Sequence, residues 1–490
     1  MTILVVTNNP KDWPAQIDNV DAIDARSYLT RSEFSDLRGV KLFNLCRSYR
    51  YQSTGYYVSL LAEARGHKVL PSISTIQDLK THAIVRLVSD ELDDLIQHTL
   101  APLKSETFTL SIYFGRNLAK RYDRLSLQLF NQFQAPLLRT HFVRDRKNGW
   151  QLKRVDAISG NEVSAAHWPF VIEAASSHFA GRRSSQRRRT PMRFGMAILH
   201  NPEDPEPPSD EKALAKLCKA ANSIGIETEL ITRDDYGRLA EFDALFIRDT
   251  TYVNNYTYRF ARRAAGEGLV VIDDPQSIVR CTNKVYLAEL LARQKVPTPK
   301  TLIVHRDNTD EIEPALGFPC VLKKPDSAFS QGVVKVKDAE ELKQRLAEFL
   351  SQSELVIAQE FLPTTFDWRI GILDRQPLYA CKYFMAKNHW QIIKQDSAAE
   401  KDRYGKSETL PVELAPRRAV QAALKAANLI GDGLYGVDVK QSDKKFYVME
   451  VNDNPNLDAG YEDAILKDEL YRRIMAVFLR RIEERKAGRA

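Results

Sequence analysis

Cysteine is scarce and scattered in this chain. Five residues in 490 (Cys46, Cys218, Cys281, Cys320 and Cys381) show none of the close pairing of a zinc site or a redox motif. The expectation is reduced, mostly buried thiols in a cytoplasmic protein. Nine histidines make no H-x₃₋₅-H pattern, which removes the other common route to zinc. No apolar run reaches the ~18–20 residues of a membrane-crossing helix. The opening Met1–Val6 is short and lacks a basic leader, so it is expected to be a strand and not a signal peptide. Charge of one sign is also missing: 71 basic residues face 64 acidic ones, for a net of +7. Residues 182–193 (RRSSQRRRTPMR) hold six arginines and no acid, so the rest of the chain carries only +1. The domains therefore lack the basic face of a nucleic-acid binder, and only the arginine segment offers a contact for RNA or an acidic protein. No G-x-x-x-x-G-K-[ST], G-x-S-x-G or kinase signature occurs. Gly431–Gly436 (GDGLYG) fits G-x-G-x-x-G but follows a helical pattern and opens a strand, the reverse of the dinucleotide motif. Gly431 is read as a helix C-cap.

What is present is an ordinary globular composition, 43% hydrophobic and 28% charged, at a length that suggests about three domains. The fold class is α/β, with α+β parts. Residues 1–180 alternate strand and helix: strand Thr2–Thr7, helix Tyr56–Arg65 closed by Gly66, strand His67–Leu70, helix Leu87–Leu100, strand Phe108–Phe114 and helices over Leu125–Phe133 and Val171–Phe179. Residues 181–192 read as an arginine-rich linker. A second α/β unit spans 193–282, where Ser209 or Asp210 caps helix Glu211–Ser223. Within it, Thr250–Tyr258 is an aromatic, amide-rich turn after a strand, a place where α/β folds bind ligands. Residues 283–490 form the last unit, with one lobe over about 300–360 and a second over about 361–480.

The chemistry gathers in that last unit. Two apolar runs, Gly436–Val439 and Phe446–Val451, flank a polar turn at Gln441–Lys445 and read as a β-hairpin. Side chains two apart on a strand share a face, so Glu450 and Asn452 point together and antiparallel pairing brings Asp438 beside them. Carboxylates held this close repel unless one is protonated or a cation lies between them. Hard oxygen donors suit Mg²⁺, which completes its shell with water and phosphate oxygens. The bland alternative is a solvated hairpin.

Upstream, Phe318–Val336 (FPCVLKKPDSAFSQGVVKV) reads strand, loop, strand. A loop of small residues between paired strands can offer backbone N–H groups to phosphates, and Lys323 ends the strand before it. Asp367 and Arg369 share one face of strand Phe366–Leu373, and Lys382 sits on its partner Leu378–Met385. The polar loop 387–408 is rich in lysine and arginine.

Taken in order, these pieces resemble the ATP-grasp superfamily, and within it the RimK-type ligases. The resemblance is carried by Asn283-Lys284, Val321-Leu-Lys323, Ser327–Gly332, Gln359–Leu362, Asp367-Trp-Arg369, Gly436-Val-Asp438, Met449–Asn452 and Pro455. It covers about residues 193–480. Tyr49–Tyr57 and Gly66–Ile73 are similar to the RimK-like ATP-grasp N-terminal domain. The resemblance implies an N-terminal α/β domain, then a small Rossmann-like pre-ATP-grasp domain and a two-lobed ATP-grasp fold. It implies ATP and two Mg²⁺ ions, or Mn²⁺ in their place. Lys284 and Lys323 would contact phosphates, and Ser330, Gln331 and Gly332 would close over them. Glu360, Phe361 and Leu362 would read the adenine, and Asp367 the ribose. Arg369 would stabilise an acyl phosphate, and Asp438, Glu450 and Asn452 would hold the metal.

The implied activity is an ATP-dependent carboxylate–amine ligase acting on an amino acid, a peptide or a protein tail, in a homodimer or homotetramer. The other readings are an ATP-binding regulator without catalysis and an RNA-associated module acting through residues 182–193. Two departures from the family stand out. The usual Arg-Ser-Asn element is replaced near Gln391-Ile-Ile393, and the usual Pro-Gly by Pro455-Asn456. Lys382 and the basic loop are the candidates for binding an acidic substrate.

Overall fold

Runs of β-branched and aromatic residues build five sheets in a computed structural model that describes residues 2–14, 16–145, 149–180, 192–326, 332–387, 389–392 and 405–488. The arginine-rich linker expected over 181–192 falls almost wholly outside these residues. The chain divides into two compact units. One comprises Met1–Ala197, Gly225–Ala244 and Glu483–Ala490, and the other Ile198–Ile224 and Leu245–Ile482.

In the first unit, strands β1 (Thr2–Thr7), β2 (Val20–Asp24), β3 (Val40–Asn44) and β4 (Lys68–Leu70) form a parallel sheet in the order β2-β1-β3-β4. Near-continuous apolar runs such as ILVV suit a parallel sheet covered on both faces, and β1 is buried from Ile3 to Thr7. A second, antiparallel sheet holds β5 (Thr107–Tyr113), β6 (Leu137–Asp145) and β7 (Gly149–Ala157). The β6–β7 pair has no counterpart in the sequence reading, although Asn148-Gly149 is a strong hairpin signal. The helix expected over Leu87–Leu100 is two helices, His82–Glu91 and Asp93–Leu100, that break at Leu92. Glu241 is buried within this unit against Lys41 Nζ at 2.5 Å and His178 Nε2 at 3.1 Å.

Strands β8 (Phe194–His200), β9 (Ile226–Ile231), β10 (Ala244–Arg248) and β11 (Val270–Ile272) form the sheet β11-β10-β8-β9. Asp210 is the residue that caps helix Glu211–Ser223, accepting from Ala213 N at 2.7 Å.

The second unit carries two further antiparallel sheets. The smaller is β12 (Thr301–Val304), β13 (Cys320–Lys323), β14 (Val333–Val336) and β15 (Val356–Glu360), ordered β12-β15-β13-β14. Helix Ala339–Leu350 packs Leu342, Leu346, Phe349 and Leu350 into its core. The larger is β16 (Phe366–Leu373), β17 (Gln376–Phe384), β18 (Ser407–Leu410), β19 (Leu434–Ser442) and β20 (Lys445–Asn452), ordered β18-β17-β16-β19-β20. Helix Arg417–Ile430 covers one of its faces with Ala419, Ala423, Ala426 and Ala427. These small residues recur at helical spacing and let the helix lie close to Trp368, Ile370, Val437 and Val439. That leaves the other face of the sheet for polar groups. Gly431 does follow this helix, but its backbone is extended, and a Cβ there would meet the Tyr435 hydroxyl at 2.5 Å. Close approach, not a left-handed turn, is what requires glycine here. Among the described residues no helix is long and apolar enough to cross a membrane, and no disulfide joins the five cysteines.

Candidate active site

The polar face of the larger sheet is set by its register. Asp438 on β19 lies opposite Glu450 on β20, and Gly436 opposite Asn452. On the other side of β19, Arg369 of β16 pairs with Asp438 and Asp367 with Lys440. Two oppositely directed ion pairs therefore stand side by side on one face. The Arg369 guanidinium makes a fork to both Asp438 oxygens, with Nη2 2.9 Å from Oδ2 and Nε on Oδ1. Lys440 Nζ donates to Asp367 Oδ1 at 2.8 Å and to Thr364 Oγ1 at 2.7 Å. Asn452 Nδ2 donates to Gly436 O at 3.2 Å and approaches Asp438 Oδ2 at 3.4 Å. Gly436 is required sterically: a Cβ would come within 2.7 Å of Pro455 Cβ and 2.9 Å of Arg369 Cδ.

The hairpin thus brings Asp438, Glu450 and Asn452 together as their spacing predicts. Burial pushes the Asp438 carboxyl upward against the pull of Arg369, with Glu450 adding to the rise. Burial also opposes the ionised form of Glu450, but Lys284, Lys323 and Arg369 outweigh it and hold this carboxyl below its ordinary range. Two carboxylates and an amide oxygen are a fitting donor set for Mg²⁺. Arg369 holds both Asp438 oxygens, however, and among the described residues no group of three or more His, Cys, Asp or Glu converges for a metal. A cation taken up at Asp438 would share these oxygens with the guanidinium or compete with it for them.

From the smaller sheet, Lys323 closes β13, nearly buried. Burial lowers its pKa to about 8, opposed by Glu450 and reinforced by the neighbouring Lys284 and Lys440 charges. A cavity lined by Lys284, Lys323, Ile357, Gln359, Val448 and Met449 lies between the two sheets of this unit. Asn283 caps helix Lys284–Arg293 through Tyr286 N at 2.9 Å, and Lys284 N donates to Pro325 O at 2.8 Å. These bonds fix Lys284 beside the end of β13.

Gly332 immediately precedes the return strand β14 at a φ of +69°, a conformation that favours glycine. Ser330 and Gln331 lie outside the described residues. At the end of β15, Glu360 Oε2 accepts from Lys300 N at 3.2 Å. The Phe361 ring lies 5.8 Å from that of Trp390, with Lys335 Nζ 4.9 Å above Phe361, and Leu362 follows half-buried.

Lys382 is not brought to this face. It pairs with Trp368 across the strands, so it shares Trp368's side of the sheet, opposite that of Arg369. Its Nζ meets Glu408 at 3.0 Å and lies 5.5 Å from the Phe366 and Trp368 rings. Of the basic loop, Lys394, Lys401 and Arg403 fall outside the described residues.

Three features were not singled out by the sequence reading. Lys440 stands two residues after Asp438, so strand alternation alone places it on the same face. Tyr383 faces the Arg369 guanidinium at 5.4 Å and donates its hydroxyl to Glu462. Arg248, beside the aromatic turn, is fully buried and holds Asn454 Oδ1 at 2.5 Å and Pro455 O at 2.7 Å, bracing the segment after Asn452. No spacing in the sequence links positions two hundred residues apart.

The RimK-like ATP-grasp N-terminal domain family matches residues 25–174, and the RimK-like ATP-grasp domain family matches residues 281–469. The alpha-aminoadipate–LysW ligase LysX of Saccharolobus solfataricus is 30% identical over 260 residues, 49% of this chain and 87% of that protein. A probable alpha-L-glutamate ligase of Vibrio vulnificus is 28% identical over 235 residues, 47% of this chain and 74% of that protein. Among solved structures, D-alanine–D-alanine ligase from Bacillus anthracis is 19% identical with a TM-score of 0.48, covering 59% of this chain and 99% of that one.

Proposed function

Because this chain belongs to the RimK-like ATP-grasp ligases, we propose that it forms an amide bond between a carboxylate and an amine through an acyl phosphate, with an amino acid, a peptide or a protein tail as substrate. The observation that carries this reading is the grouping of Asp438, Glu450, Asn452 and Arg369 on one sheet face.

The chain's own groups account for the steps. A substrate carboxylate oxygen attacks the γ-phosphorus of ATP, and the bond to the bridging oxygen breaks to release ADP. The amine nitrogen then attacks the acyl carbon, inorganic phosphate leaves with the carbon–oxygen electron pair, and the nitrogen loses a proton. Such transfers depend on positioning and charge neutralisation more than on a protein nucleophile. Lys284 and Lys323 supply positive charge to the phosphates, and Arg369 supplies it to the acyl phosphate. Asp438, Glu450 and Asn452 would hold Mg²⁺, which when bound neutralises phosphate charge. Glu360, Phe361 and Leu362 bind the adenine and Asp367 the ribose. Two relatives are named as an alpha-aminoadipate–LysW ligase and a probable alpha-L-glutamate ligase, so acidic amino acids are the first donors or acceptors to try.

A regulator without catalysis would be expected to lack a metal ligand or Arg369, and this chain retains all four groups. The test is Glu450→Ala. It should abolish ADP release in the presence of the substrate pair while leaving the far-UV spectrum unchanged. Full activity in that variant would contradict the metal assignment.

A further inference from the structure

Lys440 is a buried cation outside the roles assigned so far. Its ammonium and the Asp367 carboxylate form a cross-strand pair, each side chain only 13% exposed. Thr364 closes a triangle with them, its hydroxyl donating to Asp367 Oδ1 at 2.8 Å. All of this crowds onto one oxygen. Oδ1 accepts from both Lys440 and Thr364, while Oδ2 accepts no hydrogen bond among the described residues. The ammonium has three N–H donors, and two are used, by Asp367 and Thr364. The pair therefore presents one free acceptor next to one free donor, on the same sheet face as Arg369 and Asp438.

That pattern is complementary to two adjacent hydroxyls, one giving its proton and the other receiving one. We propose that Lys440 and Asp367 together read the cis-diol of the nucleotide ribose, making Lys440 a residue that selects ribonucleotides over deoxyribonucleotides. The proposal rests on the reading of Asp367 as the ribose contact. It adds that the carboxylate alone is half of the recognition. Lys440 also fixes the Asp367 rotamer, so that Oδ2 is the oxygen offered. A site built to bond a hydroxyl discriminates against a ligand lacking it, because its own polar groups are then left unpaired.

The experiment is calorimetric binding of the full chain to non-hydrolysable ATP and to its 2′-deoxy and 3′-deoxy analogues. The wild type should bind each deoxy analogue at least about tenfold more weakly, the range expected for one hydrogen bond to a charged group. Lys440→Met should lose discrimination against one deoxy analogue and keep it against the other. Lys440→Arg, which restores a donor, should recover it. A lysine that merely supports the strand would weaken all three ligands by the same factor, and that result overturns the proposal. Equal binding of all three nucleotides by the wild type overturns it as well, independently of whether any variant folds, and leaves the ligase reading standing. Failure of the wild type to bind ATP at all would remove both.

Discussion

The Arg369 guanidinium and the Asp438 carboxylate face each other across adjacent strands, Nη2 to Oδ2 at 2.9 Å, with side chains 14% and 11% exposed. In this arrangement a group expected to serve the acyl phosphate occupies one expected to hold the metal. On the proposed roles the two tasks are linked: a cation arriving at Asp438 would compete with Arg369 for the same carboxylate.

This linkage makes a prediction opposite in sign for binding and catalysis. Arg369→Met should increase the affinity for Mn²⁺ measured without nucleotide, since Asp438 no longer has a competing partner. Turnover in the same variant should fall by about a hundredfold or more, the scale of losing one preorganised charge at a reacting centre. Removing one partner of a buried pair also costs about 3–5 kcal/mol of stability, so thermal unfolding should shift downward alongside. Unchanged or weaker Mn²⁺ binding would mean that Arg369 does not gate the metal position.

On its proposed phosphate role, Lys323 should set a pH limit on nucleotide binding. Burial lowers its pKa to about 8, so the free protein loses this charge as the pH rises past 8. An anionic nucleotide binds the charged form, and its affinity should fall by up to about tenfold per pH unit above 8. Calorimetry with a non-hydrolysable ATP analogue between pH 7 and 9.5 reads this directly. Lys323→Arg, charged throughout, should flatten the profile, and a wild-type profile already flat would contradict the assignment.

A second pH dependence concerns stability alone. His67 is 4% exposed, and its Nδ1 lies 2.8 Å from the Tyr28 hydroxyl. Burial lowers its pKa to about 4, whereas an unfolded histidine titrates near ~6.5. The unfolded chain therefore takes up a proton first as the pH drops. The stabilisation is complete above pH ~6.5 and is lost as the pH falls from there toward 4, by on the order of 3 kcal/mol. His67→Gln, which does not titrate, should remove this part of the acid destabilisation in urea unfolding measured between pH 7.5 and 4.5. A wild type and variant losing stability in parallel would show that His67 is not its source.

Glu241 supports the first unit by accepting several cations at once. Lys41, His178 and Arg238 lie 2.5, 3.1 and 3.5 Å from its oxygens, and these charges hold its carboxyl well below the usual range despite burial. Glu241→Ala takes the carboxylate partner from the buried Lys41 ammonium, whereas Arg238 keeps Glu229, and it should cost about 3–5 kcal/mol, read as a large drop in unfolding midpoint. A shift of the size seen for surface ion pairs would show that the cluster is solvated in solution.

The parts of the site that could be read from sequence are those set by local period. Asp438, Glu450 and Asn452 follow from strand alternation on either side of a polar turn, and Lys323 from its place at a strand end before a small-residue loop. Lys440 follows the same rule, two residues from Asp438, but no family motif marks it. Lys382 shows the limit of the method. Its strand was legible, but which face it takes depends on the register with Trp368, and register is a property of two strands. Strand β18 went unread because Ser407–Leu410 has no alternation of apolar and polar residues. The break at Leu92 carries neither glycine nor proline to mark it. Arg248's bonds to Asn454 and Pro455 join distant stretches that only the tertiary fold brings together.

The most direct test of the ligase account is ADP release with Mg²⁺ and ATP across a panel of amino acids, dipeptides and acidic peptides, with products weighed by mass spectrometry. The account predicts ADP only when a specific carboxylate and amine are both present, together with a product whose mass is the sum of the pair less one water. ATP binding without ADP release for any pair, or ADP release with no condensation product, would contradict it.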